Sequence, residues 1–183
     1  MLKKFILFFI FIIFFLLSFF SENKIKAANP EDLVCPGLKM FKSWCAGEHF
    51  ENDLKACLMV SKPIAEQGKY KRRGNTTATI YHLPENDSQS VFYITAGYIY
   101  KNDSFVTISV DKKDIFELKL IENDAAWTDD DSIDKDIIKS MKKGNKMAVV
   151  GYSARGTKTT DIYSLVGFTA AFDYISNICD ITN

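Results

Sequence analysis

Residues 105–120 read Phe-Val-Thr-Ile-Ser-Val-Asp-Lys-Lys-Asp-Ile-Phe-Glu-Leu-Lys-Leu. Over Phe105–Val110 apolar side chains alternate with Thr107 and Ser109, the period of a half-buried strand. Ile115–Leu120 behaves much the same. The link between them, Asp111–Asp114, is short and polar, so the two segments predict an antiparallel hairpin. Working outward, residues 57–62 and 76–83 are short β-type segments, and 90–97 is rich in β-branched and aromatic residues. Residues 147–152 and 161–166 predict a second hairpin with Arg155, Gly156, Thr157 and Lys158 at its polar tip.

Two stretches break the strand period. Over 129–143, Ile133, Ile137 and Met141 recur at helical spacing, with aspartates in the first turns and Lys142 and Lys143 in the last. Thr128 or Asp129 can cap that helix, and Gly144 can end it. Over 168–178, Phe168, Ala171, Phe172, Ile175 and Ile178 form one apolar stripe, a second helix. The pattern predicts a mainly β fold: an antiparallel β-sandwich or barrel-like domain with two short helices. Strands do not alternate with helices, which argues against a Rossmann-type sheet.

The chain has 183 residues, 47% hydrophobic and 25% charged, so disorder over most of its length is excluded. Its 23 basic and 23 acidic residues cancel, which argues against a nucleic-acid binder. Eight of the 15 phenylalanines fall in the first 20 residues. Lys3 and Lys4 precede an apolar run over 5–20, and Ala27-Ala28 supplies small residues for cleavage. This layout predicts a signal peptide over 1–28 and a single domain over 29–183. The run is shorter than the ~20 residues that span a bilayer comfortably. A retained anchor is the alternative, and would be the chain's one link to a membrane. The leader holds four lysines and one glutamate, so the remainder carries 19 basic and 22 acidic residues, a net of −3.

Cys35, Cys45, Cys57 and Cys179 all follow the leader, as expected for two disulfides in an exported chain. Three connectivities are open. The favoured one staples Cys57 to Cys179, closing a long loop, and leaves Cys35 for Cys45. Zinc lacks a C-x2-C pair and has only His49 and His82 to draw on.

Few residues suggest chemistry. Lys69-Tyr70-Lys71-Arg72-Arg73 is the one dense basic run, able to hold an anionic group or to be a solvated loop. Asp129–Asp134 lacks the glycine and glutamate of a calcium loop and reads as helix capping. Gly151-Tyr152-Ser153-Ala154-Arg155 departs from the nucleophile elbow in its last position and precedes a strand rather than a helix. Neither His49 nor His82 is tied to Ser153 by any motif. Trp44, Trp127 and His82 read as packing residues. No catalytic residue, metal site or cofactor is predicted. A periplasmic hydrolase with dispersed residues, or a binder of small anions at 69–73, are the alternatives.

Ser153–Asp161, Tyr163–Leu165 and Gly167–Ala171 form a long ordered block, joined by Ala96–Tyr98, Ala126-Trp127 and Met141–Gly144. On these residues the C-terminal half resembles the invasion-associated locus B family of exported proteobacterial proteins. Phe41, Trp44, Lys55–Cys57 and Ser61–Pro63 extend it, so it covers about residues 41–179. The resemblance implies a mostly β domain in the periplasm or outside a Gram-negative cell. It places cysteines at 57 and 179 and treats Cys35 and Cys45 as additions. It brings no catalytic residues. The expectation is a non-enzymatic binding protein for an envelope or host protein, with the 155–158 tip as its contact surface.

Overall fold

The computed structural model describes residues 26–27, 35–51, 54–86 and 88–181. Two sheets face each other, and every strand pairing is antiparallel. The first sheet runs β1 (Lys26–Ala27), β5 (Ala65–Gly68), β13 (Lys158–Ser164), β12 (Lys146–Tyr152), β8 (Val106–Val110), β9 (Asp114–Leu118). The second runs β10 (Leu120–Glu122), β11 (Ala125–Trp127), β7 (Ser88–Thr95), β6 (Thr77–Leu83), β4 (Leu54–Ser61), β3 (Trp44–Glu51), β2 (Lys39–Phe41). Neither sheet closes on itself, so of the two architectures expected the sandwich is the one formed. Most of the predicted leader, 1–28, lies outside the described residues. Cleavage after Ala28 would remove β1 and leave β5 as the sheet edge.

The 105–120 hairpin forms, with Val106 opposite Leu118 and Val110 opposite Asp114. Its turn carries positive φ at Asp111 and Lys112, an unfavourable geometry for lysine. The Asp111 carboxylate offsets this strain by accepting from the backbone N–H groups of Asn145 and Lys146 at 3.0 Å. One expectation needs correction. Ile115–Leu120 is not a single strand, because the chain leaves the first sheet at Lys119 and enters the second as β10. Phe116 and Leu118 face inward, whereas Ile115 and Leu120 are exposed.

Helix α1 (Asp131–Lys143) is capped by Asp130, whose carboxylate accepts from the Ser132 N–H at 2.7 Å. The cap thus lies one or two residues beyond the positions expected. Gly144 ends the helix in an extended rather than left-handed conformation. A Cβ there would collide with the Val110 side chain, so close packing on β8 is what requires glycine. Helix α2 (Phe168–Ile178) buries Phe168, Ala171, Phe172 and Ile175 against the second sheet, as its stripe predicts. The Trp44 indole N–H donates to the Ser164 carbonyl at 3.1 Å, and its ring meets Phe168 edge-on at 5.1 Å. One fully buried tryptophan thereby joins both sheets and α2.

Both favoured disulfides form. Cys57–Cys179 ties the end of α2 to β4, and Cys35–Cys45 ties the segment before β2 to β3. Their sequence separations are 122 and 10 residues. Loop entropy then gives about 5 kcal/mol for the first and about 3 kcal/mol for the second. Cys57→Ala/Cys179→Ala should therefore lower unfolding free energy more than Cys35→Ala/Cys45→Ala. Urea titration without reductant measures both, and an equal loss would contradict the ranking.

Asp134 sits in α1, 4% exposed, with its carboxylate 3.3 Å from the Phe92 N–H that donates to it. Burial, against the hydrogen bonds it receives, pushes its pKa up to about 6. Between roughly pH 4 and 6 the folded state holds a proton that the unfolded state releases, so this group's contribution falls as pH rises. Asp134→Asn keeps the acceptor and removes the charge. The stability difference between variant and wild type should move in the variant's favour by roughly 2 kcal/mol from pH 4 to pH 7. A pH-independent difference in denaturation midpoints would refute this.

Candidate functional site

The tip of the β12–β13 hairpin is built from short-range bonds. Ser153 N–H donates to the Thr157 carbonyl at 3.0 Å, and Gly156 N–H to the Ser153 carbonyl at 2.7 Å. The Thr157 N–H donates to the Ser153 hydroxyl at 3.1 Å, so that side chain is committed to the turn. Gly156 has φ of +79° with open space around it, so the turn conformation alone demands glycine. Arg155, Gly156 and Lys158 are exposed and Thr157 is half-buried.

The basic run begins where β5 ends. Gly68 pairs with Thr159, which brings Lys69 out of the sheet beside Lys158. Lys69, Lys71 and Arg72 are exposed. Arg73 turns inward, and its side chain is only 3% exposed. It makes a bidentate pair with Asp161 at 2.5 and 2.6 Å, and its Nε donates to the Ala96 carbonyl at 2.6 Å. Tyr70 and Tyr98 flank the guanidinium, with ring centroids 5.5 and 5.1 Å away. Tyr98 and Thr159 share a hydroxyl hydrogen bond of 2.7 Å. Burial works against the Arg73 charge, but the bonds and charge of Asp161 outweigh it and hold the guanidinium above its ordinary pKa. Burial pushes the Asp161 carboxyl up, with Arg73 pulling the other way.

The loop after Arg73 is held as closely. Gly74 N–H donates to the Gly97 carbonyl at 2.9 Å. Gly97 has φ of +66°, and a Cβ there would lie 2.5 Å from the Gly74 backbone. No other residue meets both demands. On the far side, the Ala154 N–H donates to the Ile99 carbonyl at 2.8 Å. Loops 69–76 and 96–105 and the hairpin tip therefore pack as one unit.

Between them lies a cavity of about 760 Å³, lined by residues 69–72, Tyr98, Ile99, 153–155, Thr157 and Thr159. A smaller hollow of about 400 Å³ continues it past Gly68, Gly156 and Lys158. Two features that looked unrelated in sequence, the 69–73 run and the 155–158 tip, thus share one groove. Lys69, Lys71, Arg72, Arg155 and Lys158 surround it, and none has a carboxylate partner among the described residues. Arg73 is the member of the run that does not point to the groove's solvent. Tyr98 and Ile99 are lining residues that the sequence reading did not single out. The Ala96–Tyr98 block marked the segment, but nothing local placed it beside Ser153.

The remaining candidates are elsewhere. His82 is buried on β6, its Nδ1 accepting from the Ser90 N–H at 2.9 Å and its Nε2 3.3 Å from the Ser176 hydroxyl. Burial lowers its pKa to about 4, leaving it neutral at pH 7. His82 lies on the second sheet, whereas Ser153 lies in the turn that follows β12 of the first, and His49 is exposed on β3. Trp127 is half-buried and stacks on Tyr93. Asp130 and Asp134 serve α1, and no group of three or more metal-ligating side chains is positioned for an ion among the described residues. No helix among them is long and apolar enough to cross a membrane.

Comparison with known proteins places this fold. No curated protein matches the chain. The crystal structure of invasion associated protein B from Bartonella henselae superposes with a TM-score of 0.55 at 14% identity. The match covers 78% of this chain and 97% of that one, and at such identity shows a shared fold. The family model for the invasion associated locus B (IalB) protein matches residues 43–176. That span reaches from β3 to the last turn of α2 and contains the groove, the hairpin tip and the buried Arg73–Asp161 pair. The chain belongs to the invasion associated locus B family.

Proposed function

We propose that this protein is an exported, non-enzymatic binding protein that grips an anionic envelope or host-surface component in the groove between residues 69–72 and 153–158. The observation carrying this reading is the convergence of five cations, without a carboxylate partner among the described residues, from two segments more than 80 residues apart in a chain of zero formal net charge. Exposed cations on a solvated face normally disperse or pair. Here the chain holds them together through a buried ion pair, two close glycines and a sheet register. Charge gathered against low-dielectric walls attracts an opposite charge over several ångströms. Two disulfides and membership of the family support export, since such bonds persist outside the reducing cytosol.

Binding is favoured over hydrolysis by the fate of the reactive side chains. The Ser153 hydroxyl closes its own turn, and the two nitrogens of His82 are partnered by Ser90 on β7 and Ser176 on α2. The Bartonella protein is named for association with invasion. Carried to this chain, that name is consistent with a partner on a host or envelope surface.

The test is retention of the purified protein on a polyanionic matrix, together with the double variant Arg155→Glu/Lys158→Glu. Wild type should bind at low salt and elute as salt rises, because exposed charges are screened. The variant should elute several-fold earlier in salt, at a modest ~0.2–1 kcal/mol for each exposed contact. Its thermal midpoint should stay within a few degrees of wild type, since both side chains are exposed and unpaired. Wild type that flows through at low salt, or a variant that elutes with it, would refute the reading.

A further inference from the structure

At the groove the outer face of the first sheet ends in exposed side chains on adjacent strands. Tyr152 pairs with Lys158 across β12 and β13. The β5–β13 register, continued from Gly68–Thr159, brings Lys69 alongside Lys158. On the other side of Tyr152, the Lys101 N–H donates to its carbonyl at 2.9 Å and Tyr100 bridges to Ser153. Phe105 follows that segment, one residue before β8, at the same end of the sheet. Neighbouring strands are ~4.8 Å apart, so Lys69, Lys158 and Tyr152 form one strip with Phe105 beside it. Ile99 stands next to it, its carbonyl bonded to Ala154. Ile99 is 62% exposed, Phe105 48% and Tyr152 40%.

A lone exposed apolar residue needs no explanation. Three at one end of a sandwich, bordering five unpaired cations, form a patch of mixed character that a soluble anion would use only in part. A bilayer surface uses both halves. Lysine and arginine reach lipid phosphates, while aromatic and aliphatic side chains settle among the headgroups and upper acyl chains. Composition separates this from a protein partner: three of the five cations are lysines, which are depleted from the buried centre of protein interfaces. Asp103 and Asp124 stand near the same end, but the cations outnumber them. Elsewhere the pattern differs. Phe50 and Leu54 are also exposed, yet on that hairpin Lys55 is paired with Glu48 at 3.2 Å.

We infer that this end of the sandwich docks on an anionic lipid bilayer, with Phe105, Tyr152 and Ile99 inserted at the interface and the groove cations on lipid phosphates. The inference rests on the groove being an anion-gripping surface and names its partner. It is independent of the leader, because the strip is formed by the folded domain.

The test follows one position in the full-length protein as recovered from cells. Tyr152→Trp, read against the parent protein, reports the environment of the strip, and brominated lipid reports its depth. With vesicles containing about one-third phosphatidylglycerol, the difference emission should shift to the blue and be quenched by brominated lipid. Phosphatidylcholine vesicles should give neither change. Adding Lys69→Gln, Lys71→Gln and Arg72→Gln should weaken the response roughly a hundredfold in lipid concentration, about fivefold per cation. Adding Phe105→Ser should remove quenching while leaving polyanion retention intact. An unmoved reporter on anionic vesicles with polyanion retention preserved would overturn the bilayer inference and leave the anion-gripping groove standing. An unmoved reporter with no retention would remove both. A response equal on the two vesicle types would overturn the requirement for anionic lipid.

Discussion

The Arg73–Asp161 ion pair is the constraint on which the functional end of this molecule depends. Each side chain is 3% exposed, and the guanidinium spends its donors on a carboxylate and a carbonyl. Such a pair contributes little net stability, because desolvating two charges offsets their attraction. What it does is positional. Asp161 lies in the middle of β13, and Ala96 lies just beyond β7 of the other sheet. By reaching both, Arg73 clamps the 69–76 loop to the seam between the sheets. The three cations preceding it are then displayed beside the hairpin tip. Losing either partner would strand a charge in the interior at a cost of about 3–5 kcal/mol.

The strand and helix pattern was largely legible because it depends on short-range periodicity. Both helices and the hairpins at 105–120 and 146–164 follow from alternation or from an apolar stripe. Four strands, β2, β3, β5 and β11, were not anticipated, since their residues show no clean alternation of β-branched side chains. The other exceptions are long-range. Nothing local says that the chain changes sheets at Lys119, since Ile115–Leu120 alternates straight through the crossing. Gly144 reads as a left-handed helix end, yet it is required by Val110, which contacts it from another strand. Cysteine pairing was approachable by loop entropy but not fixed by it.

The site was legible only in halves. The 69–73 run and the 155–158 tip are each visible as polar, charged segments. Their meeting depends on β5 pairing with β13, a contact between residues about 90 positions apart. Within the run the five side chains look alike, and only the structure separates Arg73 from its neighbours. The exposed apolar strip was hidden for a related reason. Phe105 and Tyr152 each lie at an end of a predicted strand, and only the fold shows that both face outward. The same sandwich is recognisable in the Bartonella protein at 14% identity, as expected when a packed core tolerates exchange and loops carry the differences.

The most direct test of the central claim is native-state amide hydrogen exchange on wild type and Asp161→Asn, resolved by segment. Asparagine keeps the shape and one acceptor but removes the charge that holds Arg73. The account predicts faster exchange over residues 69–76 in the variant, including the Gly74 amide bonded to Gly97, by a larger factor than over the β6–β7 hairpin. Unchanged protection over 69–76 would contradict it and show that the loop is held without the ion pair.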